Sequence, residues 1–329
     1  MKNLLLAWLG LAGAALPLGA QPNPVDAALP AYQPAGQVSG NLIALSADDE
    51  VDMLGPLIAA FKKYQPRARI TARSDESRHP RNRTALGPHT DEIFHYSNQL
   101  YEDTYGYEPF RIQISMGAYN VKEHVQAIAL FVNPANPATH VSLAELDAMY
   151  SSTRRRGYPV EITTWGQIGL TGEWAVKPIH IYGRGMKKDE VGMFFRDVVM
   201  FYGLYKDSFQ APGKGLSPEV VNAVAHDPDG IGFVSFWYGQ RLGLKALAIV
   251  DANGAVVEPT QENVASGRYP LVRPMYMYIN RRPGEPLAPL VKEFLTFVLS
   301  REGQELINRT TSYLPLPAAI AAAERAKLE

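Results

Sequence analysis

From Asn41 onward the chain alternates two kinds of apolar spacing. Short apolar or alternating runs read as strands: NLIAL from Asn41, RARITA at 67–72, RIQIS at 111–115, QAIALFV at 126–132, KPIHIY at 177–182 and MYMYI at 275–279. IGFVSF and ALAIV add two more. Between them, MLGPLIAAFKKY (53–64), SLAELDAMY (142–150), PEVVNAVA (218–225) and the run EPLAPLVKEFLTFVLS carry apolar residues at helical spacing. Ser142 followed by Glu145 forms a capping box at the second of these. Strands separated by helices predict an α/β fold with mixed, mostly parallel sheets flanked by helices.

Two stretches break the alternation. Residues 21–40, QPNPVDAALPAYQPAGQVSG, are Pro-rich and aperiodic, which predicts an extended arm. Residues 74–92 form a long polar stretch. Before the arm, Lys2 precedes the charge-free run LLLAWLGLAGAAL, and PLGA stands before Gln21. A basic start, a short apolar core and small residues near Ala20 predict a secretory signal peptide over 1–20. The run is short for a membrane span, and no later segment is apolar enough to make one. The mature chain is therefore expected to be soluble and periplasmic or secreted.

Composition narrows the classes further. At 329 residues the chain is long enough for two domains, and its net charge of −1 favours neither nucleic acid nor an anionic membrane. Without cysteine it has no disulfides, thiolate chemistry or cysteine-bound metal.

Several separated segments then share one resemblance. ALGPHTDEI (85–93), YGYEPFRIQI (105–114), AIALFVNPANP (127–137), TTWGQIGLTGEWAVKPIHIYGR (163–184), HDPDGIGFVSFWYG (226–239), ENVASGRYPLVRPMYMYINRRPGEPL (262–287) and VKEFLTFVLSREGQELINRTTSYLPLP (291–317) resemble the phosphate-binding proteins of ABC importers, in that family's order. The resemblance implies a type II periplasmic binding protein with two lobes and two hinge crossovers. It puts lobe one at 41–131 plus 270–329 and lobe two at 132–269, with hinges at Asn133–Pro137 and Tyr269–Pro274.

The same resemblance locates three anion loops. The first is SADDEVDM (46–53), where Ser46 and Asp52 are candidate ligands. The second follows Leu86–Pro88, with Thr90 and Asp91 standing near the family's Ser-Arg. The third follows Tyr182-Gly183-Arg184, where relatives carry Ser-Gly-Thr and this chain reads GMKKDE. Arg184, Lys188 and Asp189 are its candidates, with Ser235 at the end of the GIGFVS strand.

The replaced loops alter the charge at this site. A carboxylate within about 4 Å of phosphate opposes it by roughly 1–4 kcal/mol at effective dielectrics of about 80 to 20. Acids gather in all three loops, while Arg73, Arg78, Arg81, Arg83, Lys187 and Lys188 offer compensating charge. Asp189 and Glu190 also suit the positive end of a helix. The expected function is capture of phosphate or a related oxyanion for an ABC importer permease, by lobe closure around the ligand. Two alternatives stay open: a structural, sensory or protein-partner role for a fold that has lost its anion site, or a cation held by the acidic loops.

Other residue types add less. His89, Asp91, Glu92 and His95 suit a divalent ion chemically, yet their spacing matches no zinc motif, so no metal is expected. His180 alternates with apolar residues and reads as a satisfied packing histidine. Phe194, Phe195, Phe201 and Tyr202 fall at helical spacing and read as core; Trp165 and Trp174 read as structural. Phe236, Trp237 and Tyr238 are divided between packing and cleft lining. No nucleophile elbow, Walker loop or zincin motif appears. A monomeric binding protein without enzymatic activity or cofactor is expected.

Overall fold

The computed structural model describes residues 23–46, 51–74, 87–90, 105–122, 126–185 and 190–329, with backbone alone at 46, 51, 52, 74, 87–90 and 190. The leader expected over 1–20 lies outside these residues. Among them, no helix is long and apolar enough to cross a membrane.

The first half of the fold begins with β1 (Gly40–Ser46), α1 (Val51–Tyr64) and β2 (Ala68–Ser74), a right-sized unit for one parallel crossover. β1 and β2 pair in parallel, with Ser46 opposite Ser74. Met53, Leu54, Leu57, Ile58 and Phe61 form the buried stripe of α1. β3 (Gly87–Thr90) and β4 (Phe110–Ser115) flank a strand that arrives much later in the chain, β12.

The second half contains β5 (Ile128–Val132), β6 (His140–Ser142), α2 (Leu143–Tyr150), β7 (His180–Gly183), α3 (Glu190–Met200) and α4 (Ser217–His226). It continues through β8 (Gly230–Ser235), α5 (Phe236–Arg241), β9 (Lys245–Ala246), β10 (Ala248–Val250), β11 (Val256–Val257) and α6 (Gln261–Ala265). Its main sheet has the order β7-β8-β5-β9, and a smaller one the order β11-β10-β6. The capping box of α2 forms as predicted: the Glu145 N–H donates to Ser142 Oγ, and the Ser142 N–H donates to Glu145 Oε2. The chain then returns as β12 (Met275–Ile279), α7 (Pro289–Val298), α8 (Arg301–Thr310) and α9 (Ala318–Ala326).

The α/β class is as predicted, but strand direction differs from the mostly parallel expectation. β12 pairs antiparallel with both β3 and β4, as β5 does with β8 and β9, and β10 with β11. Among the described residues, parallel strand pairing is limited to β1–β2, β6–β10 and β7–β8. The reason is topological: β5 and β12 are the strands that enter a sheet from the other half, and each enters against the run of its neighbours.

Hydrogen bonding ties β5 and the segment after it to the second half of the fold. β5 lies largely inside the range 41–131 expected for the first lobe, yet Ile128 to Val132 pair with Ser235 to Ile231 along the whole strand. The segment 133–137, expected as a hinge, is bound within the second half through Asn133 Nδ2 to the Ala225 carbonyl and Asn136 Nδ2 to the Pro228 carbonyl. The Met116 N–H donates to the Leu314 carbonyl, Ala118 bridges to both Gln126 and Tyr313, and the Ile128 N–H donates to the Leu271 carbonyl.

Residues 23–39 pack onto the rest of the fold. Leu29 and Tyr32 are buried, and Tyr32 packs edge-on to Tyr64 and Phe297 at 5.1 and 5.2 Å. The Tyr32 hydroxyl donates to Glu293 Oε1 at 2.6 Å, and the Arg301 guanidinium donates to the Ala27 and Leu29 carbonyls. Pro317, at the N-cap of α9, has no capping side chain. Asp26 supplies one from the arm, accepting the Ala318 N–H at 2.9 Å.

Candidate functional site

Parallel strands present their C-terminal ends together, and an α/β fold places ligands there. β7 and β8 run parallel with Gly183 opposite Phe233, so Arg184 and Ser235 leave the main sheet at the same end. Ser46 and Ser74 likewise end the paired β1 and β2. Thr90 and Ser115 end β3 and β4, both opposite Met275.

Around Arg184 the backbone is held from three sides. The Gly183 N–H donates to the Gln210 carbonyl, and the Gly185 N–H to the Gly215 carbonyl. α3 closes from the third side: a Cβ on Gly192 would sit 2.8 Å from the Gly185 oxygen and 3.0 Å from the Arg184 oxygen, so only glycine permits this approach. Gly183 faces the Phe233 ring, which stacks on Phe195 at 3.9 Å with an interplanar angle of 4°. The Arg184 side chain leaves this fixed base and donates from Nη1 to Ser217 Oγ at 2.9 Å. Ser217 is the first residue of α4 and 1% exposed.

Ser235 is 6% exposed and stands at the N-cap of α5, without a side-chain cap bond. The Phe236 N–H donates to the Ala127 carbonyl and the Trp237 N–H to Gln126 Oε1, so the crossing segment occupies the start of that helix. The structure thus brings Arg184 and Ser235 to one sheet end. Ser46, Asp52 and Thr90 are described by backbone only, in β1, α1 and β3. Asp91, Lys188 and Asp189 lie outside the described residues, as do Glu92 and His95, with His89 seen as backbone in β3. Among the described residues no group of three His, Asp or Glu side chains could hold a metal ion.

The other aromatic and histidine expectations divide. Phe194 and Phe195 are core, but Phe201 and Tyr202 are about half exposed, at 48% and 49%. They fall just past the end of α3 with left-handed φ angles of 46° and 59°, which turns them off the helix face that the spacing assumed. Trp165 is fully buried and donates to the Asp229 carbonyl; Trp174 packs edge-on against it. His180 is satisfied by Asp227, Nδ1 to Oδ2 at 2.7 Å, although its ring is partly exposed. The same carboxylate accepts from the Tyr182 hydroxyl at 2.8 Å, and burial together with Asp227 pushes that phenol up to about 12. Phe236 is buried and stacked on Tyr119 at 4.8 Å, and Trp237 packs against Tyr238 and Arg241.

Two residues of the site region escaped sequence reasoning. Ser217 precedes a recognised helix, and its Ser-Pro-Glu context signals a helix start, but nothing local indicates a partner at Arg184. Arg273 is only 3% exposed, and its guanidinium carbon lies 5.9 Å from the centroid of the Phe194 ring on α3. A single arginine in YPLVRPMY carries no periodic signal.

Known proteins match this chain over most of its length. The model of the PBP superfamily domain matches residues 53–302. The phosphate-binding protein PstS of Pseudomonas aeruginosa is 33% identical over 304 residues, 90% of this chain and 90% of its own. Among solved structures, PstS from Borrelia burgdorferi has a TM-score of 0.56 at 15% identity, covering 85% of this chain and 100% of its own. An ABC-type phosphate transport receptor from Vibrio cholerae has a TM-score of 0.52 at 17% identity, covering 84% and 100%. Those two structures speak to the fold, and the Pseudomonas relative speaks to descent along nearly the whole chain. The chain belongs to the phosphate-binding proteins of the PBP superfamily.

Proposed function

We propose that this protein is a solute-binding protein that captures phosphate at the strand ends carrying Arg184 and Ser235, and passes it to an ABC importer permease. The full-length relationship to a phosphate-binding protein carries the reading. The seating of Arg184 supports it, because a guanidinium on a rigid base is suited to an oxyanion. The remaining ligands would come from Ser46, Asp52, Thr90 and Asp91 in one lobe, and from Lys188 and Asp189 in the other. Closure of lobe 41–118 plus 270–329 on a lobe that includes β5 would bring the two sets together. The protein binds without turning its ligand over, and its place is outside the cytoplasmic membrane as an exported chain.

Calorimetric titration of dialysed protein with phosphate, sulfate, arsenate and divalent cations tests this. Saturable phosphate binding that is lost in Arg184→Ala is the expected result. Silence toward every oxyanion, or saturable binding of cations alone, would refute it.

A further inference from the structure

The structure fixes the Arg184 backbone through Gln210, Gly215 and Gly192, but a guanidinium lies several rotatable bonds from its backbone. An arginine that must be ordered on ligand arrival gives up rotamer entropy at that moment, whereas one already held does not. Ser217 supplies one holding contact. Serine at the start of a helix ordinarily turns its hydroxyl back onto a helix N–H. Here Leu216 is the N-cap and makes no side-chain cap bond, and the Ser217 hydroxyl accepts from Arg184 Nη1 at 2.9 Å. With Ser217 only 1% exposed, bulk water is poorly placed to replace that acceptor.

We propose that Ser217 is a positioning residue for the anion site, its buried hydroxyl orienting the Arg184 guanidinium from the first turn of α4. This rests on the phosphate reading and extends it to a residue of a different helix from the loop that precedes α3. It also makes α4 part of the site's rigid support, so that phosphate affinity depends on a side chain that need not touch phosphate.

The test combines phosphate calorimetry with arginine side-chain NMR on the full chain, comparing wild type with Ser217→Ala and assigning the Arg184 signals by their loss in Arg184→Lys. In the wild type, the guanidinium signals should show hindered rotation without ligand. In Ser217→Ala that rotation should become measurably faster, and phosphate affinity should fall by about 3- to 10-fold, the scale of one ordinary intramolecular hydrogen bond. A Ser217→Ala protein with unchanged Arg184 signals, or with wild-type affinity, overturns the proposal. Packing damage alone would lower the melting temperature and leave the Arg184 rotation hindered, which also overturns it. A wild type that ignores phosphate refutes the phosphate reading instead, and the NMR comparison still decides whether Ser217 holds Arg184.

Discussion

Replacing Gly183 by alanine tests whether the base of Arg184 is as tightly packed as its geometry implies. A Cβ there would lie 2.2 Å from Phe233 Cε1, 2.4 Å from Cζ and 2.8 Å from Cδ1. The ring has little room to retreat. It is fully buried, stacked on Phe195 at 3.9 Å, and meets Tyr150 edge-on at 5.6 Å. Forcing one methyl into such a core costs roughly 1–3 kcal/mol. Loss of the parallel stack would add about 0.5–1.5 kcal/mol. For a chain of this size, that total corresponds to a fall in melting temperature of about 3–10 °C. Gly185 is the internal control, two residues away on the other side of Arg184. Among the described residues, its added Cβ would meet only the Ala211 Cβ, at 4.0 Å, an ordinary contact. Differential scanning calorimetry and urea denaturation of both variants should therefore show a loss for Gly183→Ala and little change for Gly185→Ala. A Gly183→Ala protein that melts with the wild type, or a Gly185→Ala protein that loses as much, would refute the packing argument.

Two further outcomes concern the scaffold. Asp26→Ala removes the side-chain cap at the start of α9 and should cost about 0.5–2 kcal/mol, read as a lower urea midpoint. Amide exchange in the first turn of α9 should rise with it, and unchanged exchange there would contradict the capping role. Asp147 is fully buried, and burial pushes its carboxyl above the ordinary 3.8 although its Oδ2 accepts the Arg156 N–H. The fold therefore keeps a proton that the unfolded chain releases, so this group's contribution to stability falls as pH rises from 3.8 through the raised value. Urea midpoints measured against pH should show that decline in the wild type, and Asp147→Asn should flatten it; parallel curves would show that Asp147 does not titrate in this way.

Much of the fold was legible in local pattern, because helices and strands that bury one face must display its period. The stripe of α1 and the Ser142–Glu145 box were readable residue by residue. Long-range partners were not. Leu29 and Tyr32 sit in an aperiodic Pro-rich stretch, and only contact with Phe297, Glu293 and Arg301 reveals them as core. Strand direction failed for the same reason: an apolar run such as IALFV is buried on both faces whichever way its neighbours run. Motif resemblance pointed to Arg184 and Ser235, which leave the main sheet at one end, whereas the contact of Arg184 with Ser217 needed the geometry of a helix 33 residues away in the chain.

The strap formed by residues 23–39 bears on the order in which the molecule can fold. The Ala27 and Leu29 carbonyls are bound by Arg301, at separations of 274 and 272 residues, and Asp26 meets Ala318 across 292. Such closures are among the slowest steps available to a chain, because the intervening segment must be organised before they form. The strap thus waits for α8 and α9, and the first half completes its core only when α7, α8 and α9 have formed. Folding during synthesis can finish the β5–β11 half first, leaving the pairing of β12 and the docking of the strap to follow.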